Sequence, residues 1–249
     1  MKEFFITIFL LIVLVSPLHA QTPTPTASIR VPILTYHSVR PYYPGITKLV
    51  KEFTVPPDIF DDQLKYLRDN GFTAITPDDL TDSLTSGKAL PPKPFMINLD
   101  DGWLNQFRYA FPILKKYHYP AVFYIYSNVI DKKVFLTWNQ VRILANANMI
   151  IGGHTKSHPE LPKITSDEAR KEITGSKKTI ESKIGKIVDY FAYPFGEYNG
   201  NIVNMAMEAG YKSARAVGEC ANQSKDKLFT LCGITVTGDF NRFVALVNK

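Results

Sequence analysis

The chain has 249 residues, 45% of them hydrophobic, a formal net charge of +6 and two cysteines. Its lysines scatter over predicted helices (Lys171, Lys177, Lys178, Lys183, Lys186) instead of forming a run interleaved with aromatics, which argues against a nucleic-acid partner. Cys220 and Cys232 have no histidine near them in sequence, which argues against a cysteine nucleophile; they read either as a disulfide across a short loop or as two buried thiols.

Residues 1–20 read as a secretory signal peptide, with Lys2 as a minimal basic start, an apolar run from Ile6 to Val15 and an imperfect cleavage site at Leu18-His-Ala20. The apolar run is short for a spanning helix, so no membrane span is expected once it is removed. Residues 21–29 form a Pro/Thr linker. Residues 30–249 then make one domain, with no internal repeat and no second composition regime.

From there β-like and α-like runs alternate. Strands are predicted at Pro32–Tyr36, Thr73–Thr76, Phe95–Leu99, Ala121–Tyr126, Met149–Gly152, Tyr190–Tyr193, Lys212–Val217 and Phe229–Val236. Helices are predicted at Asp58–Asn70, Pro77–Ser86, Trp103–Tyr117, Trp138–Ala147, Ser166–Ile184, Asn199–Ala209 and Asp239–Val247. Repeated β-then-α order predicts a parallel barrel whose loops at one end carry the site.

Two of the strand-like runs end in metal-competent side chains. Phe95-Met-Ile-Asn-Leu ends in Asp100-Asp101-Gly102, and Met149-Ile-Ile leads through two glycines to His154-Thr-Lys-Ser-His158. If a helical turn follows the strand, His154 and His158 share a face at i and i+4. A catalytic divalent ion such as zinc needs about three protein ligands and one open position. Two histidines and one carboxylate supply the ligands, and the second carboxylate is then free to take a proton from a water whose pKa the ion lowers. Gly102 allows a sharp turn there. A lone Asp-Asp-Gly is usually a solvated turn. Here, however, three of the four histidines beyond residue 20, His37, His154 and His158, follow apolar runs. His118 reads as a helix-end residue without a role.

These motifs resemble those of the polysaccharide deacetylases, carbohydrate esterase family 4, also known as NodB-homology domains. Leu99-Asp-Asp-Gly102 is similar to their Thr-Phe-Asp-Asp-Gly, His154-Thr-Lys-Ser-His158 to their His-(Ser/Thr)-x-x-His, and Phe191-Ala-Tyr-Pro-Phe-Gly196 to a third motif that usually reads Arg-x-Pro-Tyr. The resemblance runs from about Pro32 to the C-terminus, in the family's order. It implies a distorted (β/α)7 TIM-like barrel, Asp100 as general base, and Asp101, His154 and His158 as ligands of one divalent ion, Zn2+ being the expected one. It also implies that the Phe195 N–H stabilises the oxyanion. Two departures stand out. Ala192 occupies the place of an arginine that orients the base, and no histidine follows His158 to act as general acid. Val31-Pro-Ile-Leu-Thr-Tyr-His-Ser-Val39 resembles an element of a rearranged branch, related to the poly-N-acetylglucosamine deacetylases. On that resemblance His37 takes the part of the missing acid; otherwise it is a buried strand-end residue.

Tyr36, Trp103, Trp138, Tyr193 and Phe195 could stack on a sugar, although most aromatics at such spacings are core. The resulting expectation is a secreted or periplasmic monomer that removes N-acetyl groups from an N-acetylglucosamine-containing polysaccharide. The alternatives are an O-acetyl esterase on the same scaffold, acting for example on acetylated xylan, and a carbohydrate-binding protein that has lost turnover.

Overall fold

The computed structural model describes Met1 and residues 28–248. Apart from Met1, the expected signal peptide lies outside the described residues, as does the linker up to residue 27. Its last two residues behave otherwise: Ser28 and Ile29 pair antiparallel with Ser224 and Gln223, so folded structure starts inside the segment expected as linker.

In chain order the strands are β1 (Ser28–Arg30), β2 (Ile33–Tyr36), β3 (Ser38–Val39), β4 (Thr54–Val55), β5 (Thr73–Ala74), β6 (Pro94–Leu99), β7 (Val122–Ile125), β8 (Ile150–Gly153), β9 (Tyr190–Ala192), β10 (Ser213–Val217), β11 (Asn222–Ser224) and β12 (Leu231–Thr235). The helices are α1 (Lys48–Glu52), α2 (Pro57–Asp69), α3 (Pro77–Ser86), α4 (Phe111–Tyr117), α5 (Trp138–Asn146), α6 (Ser166–Ile184), α7 (Gly200–Glu208) and α8 (Phe240–Asn248). Seven parallel strands run β2-β12-β10-β9-β8-β7-β6, and β6 returns to β2, closing the (β/α)7 barrel. The strand predicted at Thr73–Thr76 is a two-residue stub. It pairs with Pro94 and Phe95 at the start of β6, and β2 takes over from Met96 onward.

Local sequence explains where the helices start. Thr76, Thr137 and Thr165 each form a capping box with the residue three positions on, so α3, α5 and α6 begin where predicted. The helix predicted over Trp103–Tyr117 departs from regularity. Gln106–Ala110 is a π-helical turn, and α4 begins only at Phe111. Pro112 has no N–H for a regular i→i−4 bond, and the Phe111 N–H reaches back to the Gln106 carbonyl. Among the described residues no helix is long and apolar enough to cross a membrane.

The pleat of the strands decides which residues can reach the site. Side chains alternate along a strand. In β2, Leu34 and Tyr36 join the large core between barrel and helices, while Ile33 packs with Met96 of β6 and Leu231 of β12 in a separate cluster. His37 is next in the inward series. Tyr36 therefore cannot stack on substrate, contrary to expectation: it is fully buried, edge-on to Phe60, and its hydroxyl donates to Gln63 Oε1 at 3.1 Å. Trp138 is likewise corrected. It starts α5 in the outer layer, is 9% exposed and packs into the same core.

Inside the barrel lies a charge. Arg215, on β10, is 1% exposed and is the largest fully buried side chain. Gly233 on the neighbouring β12 makes room for it, since a Cβ there would lie 2.4 Å from Arg215 Cδ and 2.8 Å from Thr35 Oγ1. Gly233→Ala should therefore destabilise the protein by roughly 1–3 kcal/mol, as overpacking of a filled interior does. Urea unfolding would measure this, and a stability within error of the wild type would mean that Arg215 has slack.

Candidate active site

At the C-terminal ends of the strands opens a cavity of about 670 Å3 whose lining includes His37, Asp100, Asp101, His154 and His158. The order of strands explains the convergence. His37 follows β2, the two aspartates follow β6, and β6 is adjacent to β2. His154 follows β8, one strand beyond β7.

Asp101, His154 and His158 form a tight cluster. Asp101 Oδ1 lies 3.6 Å from His154 Nε2 and 3.5 Å from His158 Nε2, and the two Nε2 atoms are 3.1 Å apart. A zinc-like ion bonds nitrogen and carboxylate oxygen at about 2.0–2.2 Å, so three ligand atoms must lie within roughly 4 Å of one another to share it. These do. The atoms behind them fix the donor faces. His154 Nδ1 donates to the Ala192 carbonyl at 2.7 Å, which leaves the Nε2 lone pair directed at the cluster. Trp103 Nε1 donates to Asp101 Oδ2 at 3.0 Å, leaving Oδ1 facing the histidines. Burial and the neighbouring His154 push the His158 imidazole down to about 4, so it is neutral and ligand-competent near pH 7. Burial would raise the Asp101 carboxyl, but His154, His37 and His158 together outweigh it and hold the group below the ordinary carboxylate range.

The histidines are not brought together by a helical turn, as the i, i+4 spacing suggested. They sit on a tight loop with Thr155 at φ 66° and His158 at φ 62°, and Thr155 Oγ1 accepts the His158 N–H at 3.0 Å. Asp101 (φ 77°) and Phe195 (φ 59°) are left-handed as well. Half of the eight non-glycine residues with positive φ among the described residues thus lie at this site, which is where stored backbone strain commonly concentrates. Gly102, at φ 76°, continues the turn that Asp101 begins.

Asp100 faces different surroundings. It is 3% exposed, and Arg215 donates to its Oδ2 at 2.5 Å, while Oδ1 is buried without a hydrogen-bond partner among the described residues. The sequence reading missed Arg215. Ala192 does leave a gap, but Arg215 is its register partner on the adjacent strand, so the guanidinium comes from one strand over. A lone arginine among small residues in Ser213-Ala-Arg-Ala-Val217 was the available signal.

His37 Nδ1 is buried without a hydrogen-bond partner among the described residues, and its ring lies edge-on to Phe53 at 5.0 Å. Gln106, in the π turn, donates to the carbonyls of both His37 (2.7 Å) and Asp100 (2.5 Å), tying the two segments together. Phe195 is 60% exposed with its ring 4.6 Å from that of His158, and its N–H meets no acceptor among the described residues. Trp103 lines the cavity, stacked on Phe135 at 4.5 Å. Tyr193 lines it too, but its hydroxyl is spent on the Phe229 carbonyl at 2.9 Å. Tyr43, Leu49, Phe53, Val134 and Val217 complete an exposed apolar rim that the sequence did not reveal. The two cysteines are joined, Cys220 to Cys232, tying the segment after β10 to β12.

Residues 87–214 match the family described as Polysaccharide deacetylase. The Bacillus subtilis polysaccharide deacetylase candidate YxkH is 31% identical over 183 residues, 74% of this chain and 63% of that protein. The poly-β-1,6-N-acetyl-D-glucosamine N-deacetylase of Escherichia coli K12 is 25% identical over 193 residues, 60% of this chain and 29% of that protein. The chain thus spans less than two thirds of both relatives. Among solved structures, the Streptococcus pyogenes deacetylase PplD in complex with acetate superposes with a TM-score of 0.82 at 24% identity, covering 89% of this chain and 99% of that one, a likeness of fold.

The Arg215–Asp100 pair yields a prediction. Removing one partner of a buried ion pair costs roughly 3–5 kcal/mol, because the other charge is left uncompensated. Arg215→Met should lose about that much in denaturant unfolding, and adding Asp100→Asn should recover part of it. Strictly additive losses would mean that the two side chains are not coupled.

Proposed function

Because the chain belongs to the polysaccharide deacetylase family, we propose that it is a metal-dependent, exported hydrolase that removes N-acetyl groups from an N-acetylglucosamine-containing polysaccharide. One observation carries the reading. Beside the Asp101–His154–His158 cluster stands a second carboxylate, Asp100, that is held through one oxygen and has its other oxygen unpartnered among the described residues. A binding module has no use for a base beside a metal site. The missing arginine at Ala192, one of the two departures that favour lost turnover, is offset by Arg215.

A divalent ion held by Asp101, His154 and His158 would polarise the acetyl carbonyl and acidify a water, and zinc suits the two-nitrogen, one-oxygen donor set. Asp100 Oδ1 then accepts the proton of the attacking water, while Arg215 keeps Oδ2 occupied and the carboxylate oriented. The N–H of Phe195 donates to the oxygen on which charge develops. His37 protonates the departing amine. Trp103 and the apolar rim suit the faces of a neutral sugar, and the cavity is of the size usual for small-molecule sites. The poly-β-1,6-N-acetyl-D-glucosamine named for the E. coli relative supports this substrate class. The Cys220–Cys232 disulfide supports an oxidising compartment, either a periplasm or the cell exterior, with residues 1–20 as the export signal.

Acetate release from chitooligosaccharide or poly-N-acetylglucosamine, measured with and without chelator, tests the reading. Release should vanish with the chelator and return with added zinc. Undiminished release in chelator would overturn metal dependence, and release only from acetylated xylan would favour the esterase. His37→Ala should slow amide cleavage by roughly 10²–10⁴-fold, the usual worth of general acid help, yet barely affect an activated acetate ester whose leaving group departs unaided. Equal losses on both substrates would assign His37 a structural part.

A further inference from the structure

The loop that carries both histidines is held from outside by one carboxylate. Glu172, on α6, accepts the N–H groups of Lys156 and Ser157 on Oε2, each at 2.8 Å, and the Ser157 hydroxyl on Oε1 at 2.7 Å. Two further bonds hold the same stretch from the segment after β7: Ser127 N–H donates to the Thr155 carbonyl at 3.2 Å and Asn128 N–H to the Lys156 carbonyl at 2.9 Å. The Lys156 side chain lies over α6 at Gly175, where a Cβ would come within 2.8 Å of its Cδ. These bonds matter because the loop is strained. Thr155 and His158, on either side of the two N–H groups that Glu172 binds, are in the left-handed region, which is uncommon for any residue but glycine and costly for a β-branched threonine.

We propose that Glu172 is a positioning residue for the metal site: by clamping the Lys156 and Ser157 amides it holds His154 and His158 with their Nε2 atoms close enough to share one ion. Glu172 touches neither ligand nor substrate cavity, and it acts only through the loop backbone. The proposal rests on the assignment of Asp101, His154 and His158 as the metal site. Without the clamp the loop relaxes, the two nitrogens separate in part of the population, and the ion must draw them back together when it binds.

The clamp works by accepting hydrogen bonds. A glutamine at 172 keeps an acceptor oxygen for both amides and an NH2 that can face the Ser157 hydroxyl, whereas alanine keeps nothing and aspartate falls one methylene short. Zinc dissociation constants of the full chain, measured by competition with a chromophoric chelator, test this. Glu172→Ala should weaken zinc binding by roughly 10–100-fold, the usual effect of removing a group that orients ligands. Glu172→Gln should stay within about threefold of wild type, and excess zinc should restore the activity of Glu172→Ala. Glu172→Asp should fall between the two, and it serves as the test if the alanine variant does not fold. Wild-type affinity in the alanine variant, or in the aspartate variant where that serves as the test, would overturn the proposal. A glutamine variant as weak as alanine would overturn it too, by making charge the operative property. If the wild-type chain binds no zinc at all, the metal assignment fails first, and that result is separate from the other two.

Discussion

The buried pairing of Arg215 with Asp100 governs the chemistry at the top of the barrel. Asp100 and Asp101 are neighbours in sequence and chemically identical, yet the fold gives them opposite surroundings. One carboxylate meets a guanidinium inside the barrel, and the other meets two imidazoles and an indole N–H at the mouth. Both Arg215 and Asp100 are almost wholly withdrawn from water, so each needs the other to offset its desolvation. The geometry fixes one Asp100 oxygen and leaves the other unpartnered. On the proposed mechanism, two like residues thereby take two functions through environment alone.

The barrel is shaped to hold that pair. Gly233 gives up its side chain to let Arg215 lie across the interior, and Ala192 lies beside Arg215 in register. Half of the positive-φ non-glycine residues among the described residues lie at the rim, at Asp101, Thr155, His158 and Phe195, where loops leave the strand ends. The regular pleat below provides precision, and the irregular turns above aim individual side chains into the cavity. The disulfide adds to this rigidity, since Cys232 lies on β12 directly after Leu231, the register partner of Arg215.

Much of this was legible in the sequence because the signals are local. Alternating apolar runs mark the β/α repeat, and the polar residues that end those runs mark the rim. Asp100, Asp101, His154, His158 and His37 were accessible in that way, and the structure brings all five to one cavity. Whatever depends on which strands are neighbours was not legible. Arg215 and Ala192 are far apart in sequence and meet only through strand register, which a single chain does not display. Tyr36 is a different case. Strand parity alone could have excluded it, because His37 and Tyr36 cannot face the same side. Glu172 left no signal, being one more charge on a charged helix. The apolar rim contributed by residues 43–53 was equally hidden, since its members become neighbours only when that segment folds over the strand ends.

The division of labour between the adjacent aspartates is most directly tested by zinc content, measured by elemental analysis on purified Asp100→Asn and Asp101→Asn proteins. If Asp101 is the ligand and Asp100 the base, the Asp100 variant retains about one zinc per chain while losing acetate release, and the Asp101 variant loses both. Zinc lost from the Asp100 variant and kept in the Asp101 variant would show that the two roles are exchanged.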